Sequence, residues 1–126
     1  MKDLIVEHCS PPGDKKRLLY MLKNLDEIMT PKIADRTDIE KYAEKLCSLA
    51  ELFYITQNSE DLANCAVYMN EKTGYISSFG VVKQAQRMGV GKRLMERVMD
   101  EADKLGLEKL ELEVYACNHA AILFYQ

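Results

Sequence analysis

The stretch Gln86-Arg-Met-Gly-Val-Gly-Lys-Arg93 lies between an apolar segment and the clearest amphipathic helix pattern in the chain. Its two glycines, Gly89 and Gly91, let backbone amides approach an anion because they carry no Cβ. The free N–H groups at the start of the following helix, and the positive end of its dipole, favour a phosphate there. Glu96 is the sole acid between positions 83 and 97, which hold five cations: Lys83, Arg87, Lys92, Arg93 and Arg97. The pattern predicts a phosphate-binding loop.

Two other phosphate-binding motifs do not match this loop. A P-loop requires a glycine where Gln86 stands and a serine or threonine where Arg93 stands. A dinucleotide-binding fingerprint requires a third glycine at the position of Leu94. A structural alternative stays open, in which the two glycines only begin a helix and the cations form a solvated face.

The rest of the chain alternates between strand and helix patterns. Apolar and β-branched runs predict strands at 4–8, 52–56, 65–69, 75–82 and 110–115. Apolar residues at helical spacing predict helices at 14–29, 38–51, 90–105 and 120–125. Asp14, Thr37 and Asn118 are the predicted N-caps, and Gly106 follows the third helix as its C′ residue. The order β-α-α-β-β-β-α-β-α indicates an α/β (α+β) fold with a mixed, largely antiparallel sheet flanked by helices.

Composition restricts the class of protein. The chain has 126 residues, 48% hydrophobic and 29% charged, which predicts a single domain over 1–126. Its net charge of −3 argues against a nucleic-acid binder that relies on bulk positive charge. No apolar run approaches the roughly 20 residues of a transmembrane helix, and the amino terminus lacks a signal-peptide core. The four scattered cysteines form no Cys-x-x-Cys, which indicates reduced thiols without structural zinc. We expect a cytoplasmic protein with neither a membrane nor a nucleic-acid partner.

Three segments at regular spacing resemble the GNAT superfamily of N-acetyltransferases: Ser78-Phe-Gly-Val81, Gln86-x-x-Gly89-x-Gly91, and Leu112-Glu-Val-Tyr-Ala-Cys-Asn118-x-x-Ala121-Ile-Leu-Phe-Tyr125. The resemblance covers residues 75–126, and the predicted elements before them also follow the order of that superfamily. It implies a GNAT-type fold that binds acetyl-coenzyme A (acetyl-CoA) as cosubstrate, without a metal. The implied reaction is direct transfer of the acetyl group to a primary amine, either of a small molecule or of a protein.

The same resemblance implies roles for individual residues. The backbones of Phe79 and Val81 would pair with the pantetheine arm, and Asn118 would also contact the coenzyme arm. Tyr125 would protonate the departing thiolate, and Glu113 would act as general base, as in the branch that acetylates protein amino termini. The pyrophosphate would be bound by the loop residues Gln86, Arg87, Met88, Gly89, Val90, Gly91 and Lys92.

General chemistry fits these roles but leaves alternatives open. Amine acetylation by a thioester needs a base for the amine, donors for the carbonyl oxygen and an acid near the sulfur. Glu111 and Glu113 share a strand face, so one of them could instead face solvent or pair with a lysine. Asn118 would serve as a helix N-cap in either case, and a water could replace Glu113 as the base.

The end of the sequence departs from the family pattern. That pattern continues past the tyrosine into a Gly-Phe pair and two further strands, whereas this sequence stops at Gln126. We therefore expect a single N-acetyltransferase domain shortened at its carboxyl end, whose unpaired sheet edge would favour a homodimer. The alternative to an enzyme is a catalytically inactive CoA-binding module with a regulatory or scaffold role. A general anion-binding protein is a third interpretation.

Overall fold

A computed structural model of the chain describes residues 4–27, 38–70, 72–114 and 118–123; of residues 113–114 and 118–123 it describes the backbone only. These residues form a six-stranded sheet with helices on both faces. The strands are β1 (Ile5–Cys9), β2 (Glu51–Gln57), β3 (Glu60–Met69), β4 (Thr73–Val81), β5 (Lys109–Val114) and β6 (Asn118–Leu123). The helices are α1 (Lys15–Asp26), α2 (Ile39–Leu49) and α3 (Val90–Lys104).

The strands lie in sequence order across the sheet. Pairing is antiparallel from β1 to β4 and again between β5 and β6, while β4 and β5 are parallel. The parallel pair requires a crossover, which α3 supplies. The predicted class, a mixed and largely antiparallel sheet flanked by helices, is confirmed.

The two faces of the sheet form two hydrophobic cores. On one face, α1 and α2 contribute Leu18, Leu22 and Leu46, which pack with Leu52 and Tyr54 of β2. On the other face, α3 packs its apolar stripe against alternate residues of the same strands, a core that includes Phe53, Ile55, Cys65, Leu94 and Val98. Alternation along β2 and β3 therefore supplies both cores, since neighbouring strand residues point to opposite faces. No helix in the described ranges is both long and apolar enough to span a bilayer.

Aspartates cap both helices on the first face. The predicted cap of α1 is confirmed, because an Asp14 carboxylate oxygen accepts a hydrogen bond of 3.1 Å from the Arg17 amide. For α2 the predicted cap was wrong. Asp38 Oδ1 accepts from the amides of Glu40 (3.0 Å) and Lys41 (3.2 Å), so the cap lies one residue after Thr37. Both residues have a capping side chain, and the helix begins at Ile39, directly after the aspartate.

Two predicted elements differ from the structure. The gap between the strands predicted at 52–56 and 65–69 is a two-residue turn at Asn58 and Ser59, whose φ angles of 52° and 64° are typical of a tight hairpin. This turn lets β3 begin at Glu60. The terminal helix predicted at 120–125 was also wrong, because 118–123 form β6, antiparallel to β5. Pairing there satisfies backbone groups of β5 that a helix would leave without partners.

Candidate functional site

The sheet opens between β4 and β5. Their parallel pairing runs from Thr73↔Lys109 to Ile76↔Leu112 and stops there, although both strands continue. Beyond this point β4 stays paired with β3, as far as Ala63↔Val81, and β5 with β6. The segment of β4 from 77 to 81 therefore has an edge that β5 does not cover in the described part of the sheet. We call this opening the β4–β5 cleft.

A β-bulge in β4 lies where the cleft begins. The register with β3 passes from Val67↔Ile76 to Ala66↔Ser78, which leaves Ser77 without a partner across the ladder. A bulge bends its strand and increases the local twist. Since the bulge directly follows the last β4–β5 pair, it gives a physical reason for the separation of the two strands.

Tyr42 of α2 contacts the bulge from the first face of the sheet. Its hydroxyl oxygen lies 2.7 Å from Ser77 Oγ and 3.0 Å from the Ser77 carbonyl oxygen. The helical spacing at 38–51 indicates only that Tyr42 belongs to the apolar stripe of α2, and it does not predict this contact. Two adjacent serines in an otherwise apolar and aromatic strand were the available signal.

The phosphate loop (Gln86–Lys92) is folded tightly against the end of β4. A short 3-10 turn, Lys83–Ala85, precedes it, and the Met88 amide donates to the Ala85 carbonyl at 3.3 Å. Arg87 and Gly89 both have positive φ angles, 73° and 75°. The Gln86 side chain donates to the Val81 carbonyl at 3.2 Å. The predicted loop thus joins the strand that borders the cleft directly to α3.

The first turn of α3 presents amides without a side-chain cap. Unlike α1 and α2, this helix has a glycine, Gly89, at its N-cap, and no side chain accepts from its first turn. Its first turn also lacks acidic residues. A Cβ on Gly91 would lie 3.4 Å from Val81 Cγ2 and 3.8 Å from Phe79 Cε1, so α3 begins in close contact with β4. Uncapped amides and the uncovered strand edge therefore adjoin, an arrangement that fits an anion with a long arm attached.

Positive charge surrounds these amides. Four exposed cations, which form no ion pair with any carboxylate that the structure describes, lie around the loop: Lys83, Arg87, Lys92 and Arg93. The fifth predicted cation differs, because Arg97 Nη1 lies 2.9 Å from Glu101 Oε1. The basic patch near the loop therefore consists of four residues.

The residues predicted to transfer protons or to contact the coenzyme arm near the carboxyl end lie at or beyond the edge of the described residues. The backbone of Glu113 belongs to β5 just past the last β4–β5 pair, opposite His119. Asn118 begins β6, so its predicted role as the N-cap of a helix was wrong. Tyr125 lies outside the described residues. One of the two strand glutamates was expected to face solvent or to pair with a lysine. Glu111 forms such a pair, because its Oε1 lies 2.8 Å from Lys109 Nζ.

A second polar cluster lies on the other side of the sheet. Arg17 forms paired hydrogen bonds of 2.7–2.9 Å with Asp61 and of 3.0–3.2 Å with Glu7, and its guanidinium covers the Tyr54 ring. These bonds raise the pKa of Arg17 and lower that of Glu7. A cavity of about 470 Å³ beside them is also lined by Asp14. With three carboxylates and one guanidinium, this cavity does not suit a phosphate.

The family model for the acetyltransferase (GNAT) family matches residues 19–126, and the chain belongs to this family. The match includes the phosphate loop, the cleft and α3. The predicted family is confirmed.

Individual relatives agree with this assignment. The chain is 38% identical over 76 residues to the [ribosomal protein bS18]-alanine N-acetyltransferase of Escherichia coli strain K12, which covers 59% of this chain and 50% of the relative. The chain thus spans about half the length of the curated relatives that it matches first. Its fold resembles the crystal structure of the ribosomal-protein-S18-alanine N-acetyltransferase from Escherichia coli, with a TM-score of 0.73, 21% identity and coverage of 91% and 69%. It also resembles a GNAT acetyltransferase from Elizabethkingia anophelis solved with acetyl-CoA bound (TM-score 0.67, 15% identity, coverage 92% and 68%).

Proposed function

We propose that this chain is an N-acetyltransferase that binds acetyl-CoA in the β4–β5 cleft and transfers the acetyl group directly to a primary amine. The observation that carries the proposal is the adjacency of two features: the uncapped start of α3 and the uncovered edge of β4. Gly91 joins them, since even a Cβ at this position would contact Val81.

Each part of acetyl-CoA would be bound by a different group of residues in the site. The loop amides and the four exposed cations around the loop would hold the pyrophosphate, because both favour an anion at the start of a helix. The β4 edge at Phe79 and Val81 would pair with the amide-containing arm, as an added strand does. Asn118 would contact the same arm. Acetyl-CoA would supply the activated acyl group.

The proton transfers are assigned to two residues near the end of the chain. Glu113 would accept a proton from the acceptor ammonium, which makes the nitrogen nucleophilic. The amine would then attack the thioester carbonyl, and the C–S bond would break as Tyr125 gives its proton to the departing thiolate. The positively charged nitrogen of the product would lose its remaining extra proton to the tyrosinate, which restores the Tyr125 hydroxyl and leaves a neutral amide. A base and an acid of this kind each contribute typically about 10²–10⁴-fold to a rate.

We further propose a protein amine as the acceptor, with alanine as the first residue to test. The curated relative is named for an alanine N-acetyltransferase activity on a ribosomal protein. Alanine has no side-chain amine, so the acceptor of such a reaction is an α-amine. We also assign the enzyme to the cytoplasm, because the described cysteines Cys9, Cys47 and Cys65 are free thiols, as is usual in reducing compartments.

The test has two stages, binding and turnover. Calorimetric titration of acetyl-CoA should give saturable binding at one equivalent per chain. ATP at equal concentration serves as the competitor, because a general anion-binding protein would bind it as well, whereas a coenzyme site should prefer acetyl-CoA. A peptide that begins with alanine should then release free thiol, and the same peptide with a blocked amino terminus should not.

Each outcome has a distinct meaning. Binding without thiol release for any amine would support the inactive CoA-binding module instead. Equal preference for ATP would contradict a coenzyme site. In an active enzyme, Tyr125→Phe should slow turnover while the dissociation constant for acetyl-CoA stays unchanged; unchanged turnover would remove Tyr125 from the mechanism.

A further inference from the structure

The contact between Tyr42 and Ser77 lies at the point where β4 leaves β5. Ser77 is the bulged residue, and it directly follows Ile76, the last residue of β4 that pairs with β5. Its hydroxyl and its carbonyl oxygen both contact the hydroxyl of Tyr42. One side chain of α2 therefore holds the first residue of the cleft by two atoms.

The direction of these two hydrogen bonds follows from their chemistry. A carbonyl oxygen can only accept, so the single proton of the Tyr42 hydroxyl is donated to the Ser77 carbonyl. The contact of 2.7 Å must then be donated by the Ser77 hydroxyl to the tyrosine oxygen. Both hydroxyl protons are used, and the two bonds form a closed pair that fixes the backbone and the side chain of Ser77 together.

A bulged residue needs such an anchor more than a regular one does. In the register of the described strands Ser77 has no Cα partner on β3 or β5, so the ladder alone does not fix the direction of β4 at this residue. The neighbouring strand residues are held by their pairing, but the bend between them is held from α2.

We infer that Tyr42 is a positioning residue for the acyl-CoA arm: by holding Ser77, it maintains the separation of β4 from β5 that forms the cleft. This inference rests on the proposed function, since the cleft matters only if acetyl-CoA binds there. Tyr42 acts through the backbone of β4 and makes no contact with the substrate in this role. Because it belongs to α2, it also links the first face of the sheet to the start of the cleft.

Tyr42→Phe removes the hydroxyl and keeps the ring, so the packing of α2 should survive. The helix is anchored independently by its fully buried Ala43 and Leu46. The matched control is Tyr20→Phe, which removes the same atom from an α1 tyrosine that is 70% exposed. Ser77→Ala removes one of the two bonds and leaves the carbonyl contact.

The experiment combines acetyl-CoA titration with amide hydrogen exchange over residues 76–81, both on the full chain. We expect Tyr42→Phe, which removes both hydrogen bonds to Ser77, to weaken acetyl-CoA binding about three- to tenfold. Exchange in this segment should accelerate, and the KM for acetyl-CoA should rise while kcat stays unchanged at saturation. Ser77→Ala should weaken acetyl-CoA binding less than Tyr42→Phe does. Adding Ser77→Ala to Tyr42→Phe should change binding little further, because the same pair of groups is already disrupted. Tyr20→Phe should match the wild type.

Failure of the inference and failure of the proposed function give different results. If the wild type binds acetyl-CoA and Tyr42→Phe binds it equally well with unchanged exchange, Tyr42 only packs α2 on the sheet and the inference is overturned. If Tyr42→Phe lowers the melting temperature without changing the dissociation constant, the same conclusion follows. If the wild type does not bind acetyl-CoA, the proposed function fails and the inference fails with it.

Discussion

Leu25, in the last turn of α1, packs directly on Gly80 of β4. A Cβ built on Gly80 would lie 2.7 Å from Leu25 Cδ1, closer than any relaxed contact, and Leu25 is almost completely buried. The absence of a side chain at Gly80 therefore lets α1 approach the part of β4 that has parted from β5. The helices of the first face thus contact the uncovered segment of β4 at two residues, Ser77 from α2 and Gly80 from α1.

Gly80→Ala should destabilise the protein, because the added methyl forces Leu25 out of its position. Overpacking of this kind typically lowers the free energy of unfolding by about 1–3 kcal/mol, measurable by urea denaturation. The same change in a Leu25→Ala background should cost less, since the obstructing side chain is gone. Equal costs in the two backgrounds would show that Gly80 is not required by this contact.

The size of the side chain at position 91 should determine how tightly the protein binds acetyl-CoA. A Cβ there meets its nearest neighbour, Val81 Cγ2, at 3.4 Å, so Gly91→Ala should be tolerated. The branched side chain in Gly91→Val would press on Val81 and Phe79 and move the start of α3 away from β4. We expect acetyl-CoA binding about tenfold weaker or more for Gly91→Val by calorimetry. Similar dissociation constants for both variants would contradict the close approach of helix and strand.

The four exposed cations around the phosphate loop should contribute a salt-dependent part of acetyl-CoA binding. Lys92→Gln and Arg93→Gln each remove an exposed charge near the start of α3, and we expect a loss of about threefold each at low ionic strength. The difference from wild type should shrink as salt is added. Lys104→Gln is the matched control, because Lys104 lies in the last turn of α3 and pairs with Asp100. An equal loss for Lys104→Gln would indicate a general charge effect.

The Glu7–Arg17 pair should make stability depend on pH at the acid end. Hydrogen bonding to Arg17 lowers the pKa of Glu7 below its ordinary 4.5, although burial opposes the shift. A carboxylate with a lowered pKa stabilises the fold above its ordinary pKa, and this contribution is lost as the pH falls through the lowered value. Glu7→Gln should therefore reduce the melting temperature near pH 7 and have little effect near about pH 3.

The control for this pH series is Glu44→Gln. Glu44 pairs with Lys15 across an exposed contact of 3.5 Å, so its replacement should have little effect at any pH. A Glu7→Gln deficit of the same size at both pH values would show that the substitution disturbs packing and not an ion pair.

Local sequence patterns determined most of the elements. Hydrophobic periodicity located the helices α1 to α3 and the strands β1 to β5, because burial on one face imposes a period of 3.6 or 2. The exception in extent is β3, which begins at Glu60 and not at the predicted residue 65. Short-range chemistry was equally readable. The Asp14 cap, the Gly106 C′ position and Gly89 at the start of α3 depend on hydrogen bonds or φ angles within a few residues.

Tertiary structure decided the features that need a partner distant in sequence. Segment 118–123 contains a run of good helix formers, yet it pairs as a strand because β5 offers an edge with unsatisfied backbone groups. Hydrophobic periodicity does not reveal the bulge at Ser77 or its contact with Tyr42, which lies 35 residues away in sequence. The same is true of the packing of Leu25 on Gly80. The loop residues 86–92 were therefore readable from the chain, whereas the cleft beside them depends on the register of β4 with β3 and β5, strands whose pairing partners are distant in sequence.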